Sequence, residues 1–289
     1  MLERHDPETL QDSDRFLAEV DKRLAMAFEG PTNGASNGVE HAPGASVLEE
    51  AARHLCLADG AKRTRPRLVQ LFAKAVDAPA DVAIDVAVSA ELIHAASLLH
   101  DDVIDEGSQR RGQPTANRVW GNLAAVLAGD LILSRAIQRL LRWPRPVSEG
   151  ALAVVVEMSC AAITEAERRY QAPIAAKTWR QIAEGKTGAL LGWCGQAVAV
   201  AGEDDEAARR FGACGRHLGI AYQLADDIWD FEGLKGKDPL QDLKNGNPSY
   251  VLARACELEP ALAQDLVAFW AQGAPEESCR ALAARIERG

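Results

Sequence analysis

Two groups of three aspartates share one spacing. Asp101, Asp102 and Asp105 close one apolar run, and Asp226, Asp227 and Asp230 close another. At roughly 100° per residue, positions i, i+1 and i+4 fall within one helix face. Carboxylates that close together repel, and a shared cation most readily holds them. Alone, one such cluster reads better as a solvated acidic helix end; its recurrence at a second helix end reverses that. Hard oxygen ligands without His or Cys neighbours suit magnesium rather than zinc. Magnesium keeps several waters and commonly bridges a carboxylate or two to phosphate oxygens. The implied ligand is a diphosphate held between two acidic walls.

Basic residues stand near each candidate wall. Arg110 and Arg111 follow the first cluster, and Lys62, Arg63 and Arg65 form a compact knot ahead of Pro66. His94 lies seven residues before Asp101, about two helical turns, so it faces the same side. Taken alone, it reads as an ordinary core histidine, and Lys186-Thr187 as an ordinary helix position.

These side chains must be carried by helices. Apolar residues recur at spacings near three and four over 8–28, and again over about 46–58, 63–77, 80–105, 114–141, 147–169, 176–202, 204–232 and 247–257, with two more helices at 260–272 and 275–288. Clean strand alternation is absent and alanine is abundant, so the chain is expected to be all-α. The expectation is a single domain over 1–289, a bundle of ten or more helices around a central cavity, with a mobile polar loop at 29–46. Apart from the two aspartate clusters there is no internal repeat.

The 289 residues can bury a sizeable core. A formal charge of −10 and a pI near 5.2 argue against nucleic acid as a partner. They also oppose anionic substrates, so bound metal and local basic residues must reverse the field inside the site. Six scattered cysteines without a Cys-x-x-Cys pair read as thiols in a reducing cytosol. The N-terminus does not read as a signal sequence, and runs such as 151–163 are too short to span a bilayer. A cytoplasmic protein without a transmembrane segment is expected.

In order, Gly60-Ala-Lys-Arg-Thr-Arg-Pro66, Glu91-Leu-Ile-His94, the first cluster with Arg-Arg-Gly-Gln-Pro-Thr, Gly129-Asp130, Lys186-Thr187, and Gln223 with the second cluster resemble the trans-isoprenyl diphosphate synthases, or polyprenyl synthetases. The resemblance covers approximately residues 46–255. It implies that Lys62, Arg65, His94 and Arg111 bind the diphosphate of isopentenyl diphosphate. Cationic side chains hold that group without activating it as a leaving group. It implies that the six aspartates bind roughly three magnesium ions against an allylic diphosphate whose C–O bond breaks. Arg110, Lys186 and Lys237 would assist there, Thr187 and Gln223 would steady the allylic cation, and the departing diphosphate would take the final proton. A homodimer is also implied, with transient membrane contact during product release.

Product length follows from side chains before the first cluster. Bulky aromatics four or five residues before the first aspartate stop elongation in the resembled family; here those positions are the small Ser97 and Ala96, with Ile93 a turn further. A long product, about eight isoprene units, is the expectation, with a farnesyl or geranylgeranyl product as the alternative. Two residues depart from the pattern: Ala61 replaces a glycine, and Asn247 stands where Lys is often found. The chain also ends about 60 residues after the second cluster, sooner than the pattern, which opens the reading of a non-catalytic subunit. Both clusters and the basic knot are intact, against that reading. A di-iron bundle needs a second Glu-x-x-His pair, and a terpene cyclase has no use for Lys62, Arg65 and Arg111.

Overall fold

A computed structural model describes residues 8, 12–28, 45–58, 61–110, 112–233 and 239–288. The helices in chain order are α1 (Ser13–Met26), α2 (Ala45–Cys56), α3 (Thr64–Ala75), α4 (Ala80–Ile104), α5 (Ala116–Leu140), α6 (Arg145–Arg168), α7 (Ala176–Ala183), α8 (Ala189–Ala201), α9 (Asp205–Glu232), α10 (Gln241–Lys244), α11 (Tyr250–Leu258), α12 (Leu262–Ala271) and α13 (Glu276–Ile286). The all-α expectation holds, with boundaries close to those the apolar periodicity gives. Between α7 and α8 the backbone forms a π turn over Glu184–Gly188, so the single helix expected at 176–202 is three segments. A two-residue hairpin, β1 (Gln109–Arg110) with β2 (Gln113–Pro114), turns at Gly112 with φ 77°. Of the loop expected at 29–46, residues 29–44 lie outside the described residues, and 45 and 46 begin α2.

The chain divides into two compact units. Unit 1 comprises Met1–Leu152 and Trp193–Gly212; unit 2 comprises Ala153–Gly192 and Ala213–Gly289. Unit 1 is built on α4, where every residue from Val82 to Ile93 is buried. A helix apolar on all sides belongs in a core rather than at a surface. Each large aliphatic it buries contributes roughly 1.5–3 kcal/mol before entropy is counted. The buried Asp85 is held by Trp143 Nε1 at 2.8 Å, Arg139 Nη1 at 3.0 Å and the Arg142 guanidinium.

In unit 2, the segment from the π turn into α8 touches α9 backbone to backbone. A Cβ at position 215 would sit 2.3 Å from the Leu191 carbonyl oxygen, and one at 219 would sit 2.4 Å from Gly188 Cα. Only glycine allows that approach. The C-terminal helices form a second apolar cluster around Leu252, Leu262, Leu266, Phe269 and Trp270. Trp270 Nε1 donates to the Leu243 carbonyl at 2.8 Å, tying α12 to α10.

Among the described residues, two helices are long and apolar enough to cross a bilayer by length and composition. In Ala80–Ile104 the apolar window is 83% buried, and in Arg145–Arg168 it is 33% buried. The first is a core helix. The second extends on both sides of the 151–163 run that looked too short in the sequence. On one side its Glu157 meets Arg216 Nη2 at 2.8 Å and its Glu165 pairs with Lys186, while Leu152, Val156 and Ile163 are exposed.

Candidate active site

Unit 1 carries the first aspartate cluster at the end of α4. Along the last turns, His94, Ser97, Leu98 and Asp101 are partly exposed, whereas Ile93, Ala95, Ala96 and Leu99 are buried. The open stripe thus follows i, i+3, i+4 and i+7 and leads from His94 to Asp101. Asp105 is exposed at the helix end, but Asp102 is only 4% exposed. One residue of helix turns a side chain by about 100°, enough to carry Asp102 onto the inner side. The three carboxylates therefore do not share the one outward face that their spacing predicts. Arg110 closes on Asp102 with Nη2 at 2.6 Å and Nε at 3.1 Å from both oxygens. The hairpin carrying Arg110 is held in turn by Thr115 Oγ1 donating to the Gly107 carbonyl at 2.7 Å. His100 Nε2 lies 3.2 Å from the Val126 carbonyl and 3.6 Å from Asp130. A Cβ at Gly129 would come within 2.3 Å of that nitrogen, so any larger residue there would displace the His100 ring.

The basic knot divides its labour. Arg63 adopts a left-handed conformation, φ 49°, and donates to Glu91 Oε2 at 2.9 Å, Asp21 Oδ1 at 2.7 Å and the Cys56 carbonyl at 3.3 Å. It is an anchor. Lys62 is exposed and Arg65 half-buried. Burial pushes the Cys194 thiol up to about 12, with the Arg65 charge pulling the other way. Replacing Arg63 with Met should strand Glu91 and lower stability by about 3 kcal/mol. Adding Glu91→Leu should recover most of that loss in chemical denaturation; an Arg63→Met protein as stable as the parent would refute the anchor role.

Unit 2 carries the second cluster near the end of α9, and again the middle aspartate is turned inward. Asp227 is 4% exposed and accepts from Trp179 Nε1 at 2.8 Å, Tyr250 N at 2.7 Å and Gln223 Nε2 at 3.0 Å. Burial raises its pKa while those three donors oppose the rise. Asp226 and Asp230 are partly exposed. Asp230 accepts from the Asp242 backbone N–H at 2.9 Å. Burial, and then the Asp230 charge, push Asp242 up to about 7, while a 3.0 Å bond from Asn247 Nδ2 opposes the shift. An amide at 247 gives Asp242 a hydrogen bond without the positive charge a lysine would bring. Lys186 pairs with Glu165, and Thr187 Oγ1 donates to Gln223 Oε1 at 3.4 Å. Lys186 and Thr187 both lie within the π turn, an irregularity frequent at functional positions. A cleft of about 30 Å³ among Glu165, Lys186, Gln223, Asp227 and Asp242 has room for a water or a small ion.

Among the described residues no three His, Cys, Asp or Glu side chains form a closed metal cage. Magnesium fits such a donor set, because it takes one or two carboxylates and completes its shell with water and phosphate oxygens.

The polyprenyl synthetase family model matches residues 45–284. The chain belongs to this family. It is 36% identical over 236 residues to the heptaprenyl diphosphate synthase component 2 of Geobacillus stearothermophilus, covering 80% of this chain and 69% of that protein. Against the octaprenyl diphosphate synthase of Escherichia coli (strain K12) it is 36% identical over 207 residues, 68% of this chain. The match spans 62% of that relative's length. Among solved structures, a decaprenyl diphosphate synthase from Rhodobacter capsulatus superimposes with a TM-score of 0.83 and 25% identity, over 98% of this chain and 86% of that one.

Within this member of the polyprenyl synthetase family, unit 1 brings together Asp101, Asp102, Asp105 and Arg110 at one helix end, with His94 and Ser97 on the same open stripe. Unit 2 brings together Lys186, Thr187, Gln223, Asp227 and Asp230. Arg110 and Lys186 each engage a carboxylate of their own unit. Arg111 and Lys237 lie outside the described residues. Trp179, Glu165, Asp242 and His100 were not singled out by motif. The last two stand within a few residues of motif positions, whereas Trp179 is 48 residues from its partner and gives no local signal.

Proposed function

We propose that the protein is a head-to-tail trans-prenyltransferase that condenses an allylic diphosphate with isopentenyl diphosphate, repeatedly, to a long polyprenyl diphosphate. Membership of the polyprenyl synthetase family, with curated relatives named heptaprenyl and octaprenyl diphosphate synthases, carries this reading. Lys62, Arg65, His94 and Arg111 bind the isopentenyl diphosphate and keep it intact as the nucleophile's handle. Asp101, Asp105, Asp226 and Asp230 would hold about three magnesium ions, with Asp102 and Asp227 set behind them, and the metal would neutralise charge growing on the leaving diphosphate. Arg110, Lys186 and Lys237 add positive charge near that diphosphate. Thr187 and Gln223 direct oxygen dipoles at the allylic cation and offer it no nucleophile. As the C–O bond breaks, the isopentenyl double bond forms the new C–C bond, and a proton passes to the departing diphosphate.

Ile93, Ala96 and Ser97 would limit chain length, and of the three only Ser97, on the open stripe of α4, is partly exposed. Its small size supports a long product, about eight isoprene units. Val119, Leu123, Val126 and Leu127 are exposed on α5, a face suited to a second copy, and support a homodimer. The protein would act in the cytoplasm, where its free cysteines stay reduced, with the exposed apolar face of α6 touching membrane as product leaves.

The test is to incubate the purified protein alone with magnesium chloride, labelled isopentenyl diphosphate and farnesyl diphosphate, then separate the products by chromatography. Label is expected in a long polyprenyl diphosphate, shortened by Ser97→Phe. Absence of any labelled prenyl product would sink the transferase reading. Activity that appeared only with a second subunit would instead match the word component in the name of the first relative.

A further inference from the structure

Thr187 and Gln223 can steady a cation only if their oxygens, not their protons, face it. A threonine hydroxyl can do either, so something must choose. The choice is traceable through unit 2. An indole N–H can only donate, and Trp179 Nε1 donates to Asp227 Oδ2 at 2.8 Å. The Tyr250 backbone N–H converges on the same oxygen at 2.7 Å. Two donors on one oxygen fix the torsion of the carboxylate and aim Oδ1 at Gln223, whose Nε2 lies 3.0 Å away. With its nitrogen committed to Asp227, the Gln223 amide must turn its oxygen toward Thr187. The Thr187 hydroxyl then spends its single proton on that oxygen, at 3.4 Å, the longest link of the chain. Its lone pairs are left pointing elsewhere.

We propose that Trp179 is a positioning residue that holds the Asp227 carboxylate where its acceptor-only Oδ1 fixes the direction of the Asp227–Gln223–Thr187 hydrogen-bond chain, so that Thr187 presents lone pairs rather than its proton to the allylic cation. This rests on the prenyltransferase reading, in which Thr187 faces that cation. Trp179 touches no reacting atom. Its ring also packs against Tyr250, with centroids 4.8 Å apart, so a packing role must be separated from a directional one.

Two substitutions separate them. Trp179→Phe keeps a ring against Tyr250 and removes the indole donor. The carboxylate is then held by one donor and can pivot away from Gln223, whose amide only then is free to turn over. Asp227→Asn goes further. Trp179 and Tyr250 both require an acceptor where Oδ2 stands, so the new amide nitrogen faces Gln223. The Gln223 oxygen must meet it, its nitrogen turns to Thr187, and the hydroxyl proton is pushed outward. The chain runs backwards with almost no change of shape.

The readout is equilibrium binding by calorimetry, in magnesium chloride, of two bisphosphonates that differ only in an ammonium nitrogen replacing a carbon at the cation position. The wild-type protein should prefer the ammonium compound. Trp179→Phe should lose about tenfold of that preference, the worth of one hydrogen bond to a charged group, while binding the neutral isostere within about twofold of wild type. Asp227→Asn should abolish the preference, a larger loss than in Asp226→Asn, which removes the same charge from the cluster and leaves the chain intact. Equal weakening of both compounds in Trp179→Phe, or an unchanged ratio in Trp179→Phe or Asp227→Asn, would overturn the directional role. Wild-type protein that binds both compounds equally would overturn it as well. Failure of the wild type to take up either compound would overturn the prenyltransferase reading and this inference with it.

Discussion

Asp226→Asn should slow prenyl transfer about 10²–10³-fold at saturating substrate. Asp226 is partly exposed beside Asp227, whose carboxylate is already engaged by three protein donors. The outer aspartates are the ones open to solvent, while Asp102 and Asp227 are 4% exposed, and an amide is a far poorer ligand for a metal than a carboxylate. Asp101→Asn should behave alike, for Asp101 stands outside Asp102 in the same way. Initial rates across a magnesium titration, on protein with an unchanged circular dichroism spectrum, decide the matter. Losses below about tenfold in both variants would mean that the clusters do not carry the leaving-group charge. The buried partners should fail differently. Substituting Asp102 leaves Arg110 without its bidentate acceptor, so stability should fall along with activity.

The second large effect is structural and reaches the site through the backbone. Gly219→Ala places a methyl group 2.4 Å from Gly188 Cα and 2.6 Å from its nitrogen. Neither neighbour is a flexible side chain, so α9 or the π turn must move. Overpacking of this kind costs about 3 kcal/mol. That should lower Tm by about 6–12 °C. Gly188 directly follows Thr187, so the displacement should also reduce activity beyond what the fraction of folded protein explains. Differential scanning calorimetry and rates measured well below the transition would show both effects. A variant that melted within about 2 °C of wild type with full turnover would mean the two backbones can separate freely.

Much of this was legible in the sequence because it depends on local periodicity. The extent of α4, its arrest at Asp105 and the helical carriage of both clusters follow from apolar spacing alone. So does the absence of extended strands among the described residues. What escaped is set by partners distant in the chain. The knot at 62–65 holds three cations in a row of four, and nothing local says that Arg63 turns inward; Glu91 and Asp21, on other helices, decide it. The inward rotation of Asp102 and Asp227 is implicit in the helical step, yet the shared spacing of each triplet suggested a common face. The π turn left only the glycines around Lys186-Thr187 as a trace. The length of α6 was hidden because Glu157 interrupts its apolar run, and the ion pair with Arg216 that accommodates that charge cannot be read from the pattern.

The segment after α9 is fastened to the aspartates themselves. Leu240 N bonds the Asp230 carbonyl at 2.9 Å, Asp242 N bonds its carboxylate at 2.9 Å, and Tyr250 N bonds Asp227 at 2.7 Å. Residues 240–250 thus act as a latch whose catch is the acidic motif. Any ion that stiffens those carboxylates also secures the latch and, through it, the docking of α11 to α13. By thermodynamic linkage, a well-seated C-terminal lobe strengthens the grip on that ion to the same degree. In such a design, distant substitutions that loosen Leu252 or Trp270 would be felt as a weaker appetite for metal, with every acidic side chain still in place.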